Sequence, residues 1–235
     1  MSPVKPGKQA QRSRETRRRI VSAARDLFTE HGYGATTLQE VAERAGVAVQ
    51  TIYFVFGNKR SLLKDVVDTS IAGDDEPVAA MHRDWFRAAV AAGTAQAQLR
   101  ELIHGTGQII ERTAPVLDVL RTAMTIDPEV AAEWPQDRDP RFTVQTAAAA
   151  ALVAKPGARA GISAGHAADV LYGILSPELY LLLVRDRDWT PAQWEAWAYA
   201  TLCGQLCEGG QDAGTEHVST EHASTEHAST AEGTS

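Results

Sequence analysis

Gln50, Thr51, Tyr53, Phe54 and Lys59 place an amide, two hydroxyls, an exposed aromatic and a cation within ten residues. This set suits nucleic-acid recognition better than catalysis. A glutamine amide can make two hydrogen bonds to an adenine edge, and apolar groups can touch thymine methyls. Hydroxyls bond phosphate oxygens, contacts that fix register rather than sequence. Elsewhere the chain shows no glycine-rich phosphate loop, no spaced metal ligands and no nucleophile motif. No enzyme, cofactor or metal site is therefore expected.

The stretch carrying these residues, VAVQTIYFVFGNK, has the β-branched and aromatic composition of a strand. Its neighbours read as helix. Thr37-Leu38-Gln39-Glu40 is a capping box, with Thr37 as cap and Glu40 reaching back. Gly46 tolerates the positive φ of a tight turn, and Ala42 is small enough for two helices to cross closely. Val41, Ala45, Val47, Ile52 and Val55 supply apolar residues for the crossing. This register makes Val49–Phe54 a short helix. Ile52 and Val55 then face inward, Val49, Gln50, Tyr53 and Phe54 face outward, and Thr51 lies at the margin. Phe56 reads as core. Thr37 and Lys59 sit near helix starts, where backbone N–H groups favour phosphate.

The rest of the chain is predicted all-α. The net charge of −7 hides an asymmetry: residues 1–70 hold twelve Lys/Arg against seven Asp/Glu, and the remainder eleven against twenty-three. A basic head on an acidic body suits a polyanion partner for the head alone, although a solvated basic arm would give the same balance. Two cysteines, Cys203 and Cys207, fit a reducing cytoplasm and buried structural thiols rather than a disulfide framework. No window approaches twenty uninterrupted apolar residues and no secretory signal opens the chain, so neither a membrane span nor export is expected.

Four segments follow. Residues 1–15 read as a flexible basic arm, and residues 16–73 as a helix-turn-helix domain whose first helix runs from about Thr16 to His31. Residues 74–208 read as a helical body, with helices near 76–92, 94–113, 115–125, 141–154, 163–184 (bent at Ser176-Pro177) and from Thr190-Pro191 onward. Residues 209–235 form a low-complexity tail with the repeat TEHVS-TEHAS-TEHAS. His217, His222 and His227 recur every five residues, which does not align ligands on one helical face.

TTLQEVAERAGVAVQTIYFVFGNKRSLL resembles the DNA-binding domain of the tetracycline-repressor (TetR) family of bacterial regulators. AADVLYGILSPELYLLLVRDRDWTPAQWEAWAYATL more weakly resembles the last two helices of many members. The resemblance implies a three-helix DNA-binding head, a ligand-binding helical body and a homodimer on double-stranded DNA. It also implies operator contacts by Thr37, Gln50, Thr51, Tyr53 and Lys59. Two departures stand out: many members have Ser at the position of Ala48 and His at that of Val55, and both remove phosphate contacts. Arg12, Arg14, Arg17 and Arg18 can reach backbone or minor groove and offset the losses.

For the interface the candidates are Leu171, Ile174, Leu175, Leu179, Leu182, Trp194 and Trp197, although some of these must serve the monomer's own core. For a small, largely apolar effector, Met81, Trp85, Phe86, His104, Ile110, Met124, Phe142 and Tyr172 can line a pocket, and each serves equally well as core. The expected function is a homodimeric regulator, a repressor released from a palindromic operator by its effector. A regulator that answers to no ligand, or a helical small-molecule-binding protein with an incidental DNA head, would share most of these features.

Overall fold

A computed structural model describes residues 8–72, 80–134 and 139–209. The expected domain boundary at 73–77, residues 1–7 of the arm and the repeat tail from 210 onward lie outside the described residues. Among those described there is no strand, only an isolated bridge between Ala158 and Cys207.

Eleven α-helices are described: α1 (Lys8–His31), α2 (Leu38–Ala45), α3 (Val49–Phe56), α4 (Lys59–Ala72), α5 (Asp84–Ala91), α6 (Ala95–Ile126), α7 (Pro128–Glu133), α8 (Pro140–Leu152), α9 (Ala164–Ile174), α10 (Pro177–Val184) and α11 (Pro191–Leu206). A short 3₁₀ turn, Ala80–His82, precedes α5. The first helix begins at Lys8 rather than near Thr16, so part of the expected flexible arm is helical. No proline or glycine interrupts residues 8–15, which lets the helix run back past the apolar stripe that marks its buried half.

The strand-like stretch is helix α3. Propensity alone would not hold eight such residues helical, because short helices depend on tertiary packing. Ile52, fully buried, and Phe56 anchor α3 to α1, α2 and α4 in one core with Ile20, Leu27, Phe28, Val41, Leu62 and Leu63. Thr37 caps α2 in a complete capping box with Glu40. Gly46 ends α2 at φ 65°, where its N–H bonds back to the α2 carbonyls. Ala48, by contrast, makes no side-chain cap for α3.

Helix α6 differs most from expectation. The sequence predicts two helices, split near Pro115, but one helix of 32 residues continues through it, a length of about 48 Å. A proline inside a helix costs a backbone hydrogen bond. Here Ala114 and Val116 are buried on either side of it, and this packing holds the helix together. The first half of α6 (Ala95, Leu99, Leu102, Ile103, Ile110) belongs to the core of the body, with α5, α8, α9, α10 and α11. Its second half (Val116, Leu120, Ala123) belongs to the core of the head, joined by Val130 of α7. The two cores therefore share one rod.

At the end of that rod Asp127 clasps the head. Its carboxylate accepts from Arg60 Nε at 3.2 Å and from the Tyr33 hydroxyl at 3.2 Å, while Arg60 also pairs with Glu129. Burial opposes ionisation, but the bonds from Arg60, the Glu129 amide and Tyr33 hold the Asp127 carboxyl below its ordinary value. Burial, reinforced by Asp127, pushes the Tyr33 hydroxyl up to about 12.

The run Ala164–Val184 is long and apolar enough by composition to cross a membrane, with a mean hydropathy of 1.5. It breaks into α9 and α10 where Ser176 caps α10 and Pro177 opens it, and 39% of it is buried. The expected bend is thus a full interruption, because Ser176 starts a new helix rather than continuing the old one.

The uncapped start of α3 and the Asp127 clasp can both be tested. Ala48→Ser supplies the missing cap and should raise stability by about 1 kcal/mol, read as a higher urea midpoint at unchanged m-value; an unchanged midpoint would show that the α3 terminus is already satisfied. The Asp127 carboxyl is held below its ordinary 3.8, so its stabilisation is complete above that pH and is lost as pH falls through the lower folded value. Asp127→Asn should therefore lower the thermal midpoint at neutral pH, and the gap from the parent should close as pH falls below the ordinary carboxylate range. A gap that persists in acid would contradict the assignment.

Candidate nucleic-acid interface

The turn at Gly46 presents α3 edge-on to solvent. Tyr53 is 55% and Phe54 91% exposed, and Gln50 is also exposed, while Thr51 and Val49 are half-buried. One face of α3 thus carries an amide, a phenol and a bare phenyl ring, with its opposite face anchored through Ile52 and Phe56. Exposing a phenylalanine this fully leaves apolar surface without packing, which suits a residue that meets a partner.

Beside this face lies an open cleft of about 580 Å³, lined by Tyr33, Thr37, Leu38, Gln39, Val49, Tyr53, Asn58, Lys59, Arg60 and Asp127. It gathers Thr37, Tyr53 and Lys59, all expected contacts, at the N-termini of α2 and α4. Backbone N–H groups at both termini favour anions. The Lys59 ammonium stands 4.3 Å from the Tyr33 ring centroid and 3.5 Å from the Gly34 carbonyl oxygen. Burial lowers its pKa, although the Asp127 and Glu40 charges work against the fall. Tyr33 and Lys59 together thus aim a partly desolvated cation at the cleft.

Sequence reasoning misses several residues here. Gln39, Asn58 and Arg60 line the same cleft; each lies within two residues of Thr37 or Lys59, and that proximity is the available signal. Arg19 of α1 reaches the turn, with Nη1 3.8 Å from where a Cβ on Gly46 would stand.

Arg17, expected to contact DNA, remains about half exposed, at 48% of its side chain, and also makes contacts within the head. It pairs with Asp65 at 2.5 Å and lies 5.0 Å from the Phe56 ring centroid, tying α1 to α3 and α4. Its neighbours Arg18 and Arg19 share the sequence signal, and helical geometry decides which one meets Asp65 and Phe56.

In the body, the expected pocket residues do not converge. Phe86 and Ile110 are buried in the core. Trp85 lies flat on Gly105, where an added Cβ would stand 2.4 Å from its ring. Met124 packs on the head's core, not the body's. His104 is exposed, 3.4 Å from Glu195. Tyr172 bonds Asp139 beneath the Arg141 guanidinium, 3.7 Å from its ring centroid, with Phe142 edge-on. Among the expected interface residues, Leu171, Leu175 and Trp194 are fully buried in the chain's own core and cannot face a partner. Leu179 and Trp197 are half-buried, and Trp197 stacks edge-on against Trp189. Periodicity marks a buried face but cannot say whether the same chain or another covers it. Cys203 and Cys207 are both free, and burial, with Cys203 alongside, pushes the Cys207 thiol up to about 12, far from a reactive thiolate.

Comparison with known proteins agrees with this geometry. Residues 20–66 match the family of bacterial regulatory proteins, tetR family. The chain is 39% identical over 88 residues to the HTH-type transcriptional regulator HbdR of Aromatoleum sp. (strain CIB), covering 32% of this chain and 38% of HbdR. It is 40% identical over 57 residues to the HTH-type transcriptional regulator TtgR of Pseudomonas putida, covering 24% and 27%. With the HTH-type transcriptional repressor KstR of Mycolicibacterium smegmatis it shares 30% over 123 residues, covering 52% and 56%. These matches span well under two thirds of each relative's length. The whole fold resembles that of NalD, the secondary repressor of the MexAB-OprM multidrug efflux pump in Pseudomonas aeruginosa, with a TM-score of 0.54 at 19% identity over 85% of this chain and 99% of NalD. It also resembles FadR from Bacillus subtilis, solved in complex with stearoyl-CoA, with a TM-score of 0.58 at 16% identity over 79% and 97%. The head, built around the α2–Gly46–α3 turn, thus matches the tetR family of bacterial regulatory proteins over residues 20–66, and the whole chain shares the fold of NalD and FadR.

Proposed function

We propose that this chain is a cytoplasmic DNA-binding transcriptional regulator, a repressor that works as a homodimer on a palindromic operator and is released by a small molecule bound in its helical body. The carrying observation is the outward face of α3, with Gln50, Tyr53 and Phe54 set beside Thr37 and Lys59 at two helix N-termini. In this reading Gln50 reads a base edge and Phe54 meets thymine methyls. Thr37, Thr51, Tyr53 and Lys59 hold phosphates. Arg17, still half exposed, and Arg19, which reaches the Gly46 turn, add cations beside this face.

One α3 reads few base pairs, so two related by a two-fold axis would read half-sites about 34–36 Å apart or a multiple of that. A face for the second copy is available on α9, α10 and α11. Leu182 is 50% exposed, Leu179 and Trp197 are half-buried, and a shallow groove runs past Val170, Gly173, Ile174, Thr201 and Gln205. Regulation requires the effector to bind one spacing of the two heads better than the other. The shared rod α6 gives such a preference in the body a direct path to the head.

Selecting fragments from a random DNA pool with the purified chain, followed by gel shift, tests the reading. A dyad-symmetric site should emerge, with binding that weakens steeply with salt; a folded chain that enriches no sequence at low salt would overturn it. On the selected site, Gln50→Ala should lose about 1–3 kcal/mol of discrimination at one position of each half-site. Tyr53→Phe should weaken binding to all sequences alike, by about 1 kcal/mol. Unchanged selectivity in Gln50→Ala would remove Gln50 from base readout.

A further inference from the structure

The cleft beside α3 contains an anion as well as its cations. Of the residues that line it, Tyr33 to Arg60 come from the head, and Asp127 comes from the corner between α6 and α7. The two cations in the lining are Lys59 and Arg60, the first two residues of α4. Arg60 is turned toward the corner. Its Nε donates to Asp127 at 3.2 Å, and its Nη1 pairs with Glu129. The Asp127 charge also acts on Lys59, together with that of Glu40.

The charges decide what this arrangement does. Lys59 and Arg60 meet two carboxylates, Asp127 and Glu129, so the four groups together carry no net charge. Phosphate affinity comes chiefly from uncompensated Lys and Arg side chains, each of which releases a counterion from the DNA. A neutralised set therefore attracts a polyanion less than two bare cations would. The return in stability is small for the outer partner. Glu129 has 72% of its side chain exposed and Arg60 32%, and an ion pair this open to water contributes at most about 1 kcal/mol. Its larger effect falls on what the cleft attracts, because the pair lies well within the screening length of about 10 Å.

We infer that Asp127 and Glu129 are a built-in restraint on DNA binding: they hold Arg60 as a phosphate would, and so keep in reserve a cation that can add a backbone contact. The inference rests on the reading of the α3 face as a DNA-binding surface. Its partner chemistry is the phosphodiester backbone, so the restraint acts on every sequence alike. In the parent chain Arg60 stays with its carboxylates when DNA binds. Asp127 also accepts from the Tyr33 hydroxyl and from the Glu129 amide. If these structural bonds were its whole role, removing its charge would leave DNA binding unchanged or weaker, the opposite of what a restraint predicts.

Asp127→Asn, Glu129→Gln and the double variant are compared with the parent chain by gel shift, on the selected site and on random-sequence duplex, across a range of salt. Asparagine keeps an acceptor for the α7 cap, so this change removes charge more than structure. If Asp127→Asn does not fold, the exposed Glu129→Gln decides alone. The double variant should bind both DNAs about tenfold more tightly near 0.1 M salt, with the slope of log affinity against log salt steeper by about one. Glu129→Gln alone should give about threefold. Adding Arg60→Gln to the double variant should cancel the gain, since the effect runs through that side chain. Folded acid variants that bind no more tightly than the parent overturn the restraint. A gain confined to the selected site overturns the assignment to the backbone, and a gain that survives Arg60→Gln overturns the role of Arg60. Parent binding without a gain in the variants removes this inference alone, whereas a folded parent and variants that bind no DNA remove the DNA-binding reading with it.

Discussion

Helix α6 is the constraint on which the rest of the structure depends. A single rod of 32 residues contributes one half to the body's core and the other to the head's. At its end Asp127 holds Arg60 and Tyr33, two residues that line the cleft beside α3. Packed cores resist continuous deformation and shift between discrete arrangements. The same helix thus joins the body's core to the head that presents Thr37, Tyr53 and Lys59. The helix breaks after Ile126, where Asp127 caps α7, so the rod stops at the point of contact with the head.

The outward face of α3 shows how sequence and fold divide the work. Residues Val49–Phe56 have the composition of a strand, and their periodicity together with the Thr37–Glu40 capping box and Gly46 is enough to identify a helix. The inward positions Ile52 and Phe56 and the outward positions Gln50, Tyr53 and Phe54 are legible for the same reason, since one crossing geometry fixes every side chain on a short helix. Arg17 is not legible. Three consecutive arginines look alike in sequence, and only the placement of Asp65 and Phe56 shows which one pairs with them.

The body is legible as helices but not as a site. Pro115 marks a helix break by local rules, yet the buried neighbours Ala114 and Val116 override it. Leu171, Leu175 and Trp194 carry the apolar signature of an interface and fill the chain's own core instead. Gln98, Thr106 and Gln145 are polar residues inside helices whose burial no periodicity argument singles out.

The measurement that bears most directly on the central claim is amide hydrogen exchange of the full chain with and without its selected DNA fragment. The account predicts added protection in Val49–Phe56 and at the N-termini of α2 and α4, extending through the Asp127 clasp into the second half of α6, with the first half little changed. Protection confined to the body, or absent from α3 while the DNA is bound, would contradict it.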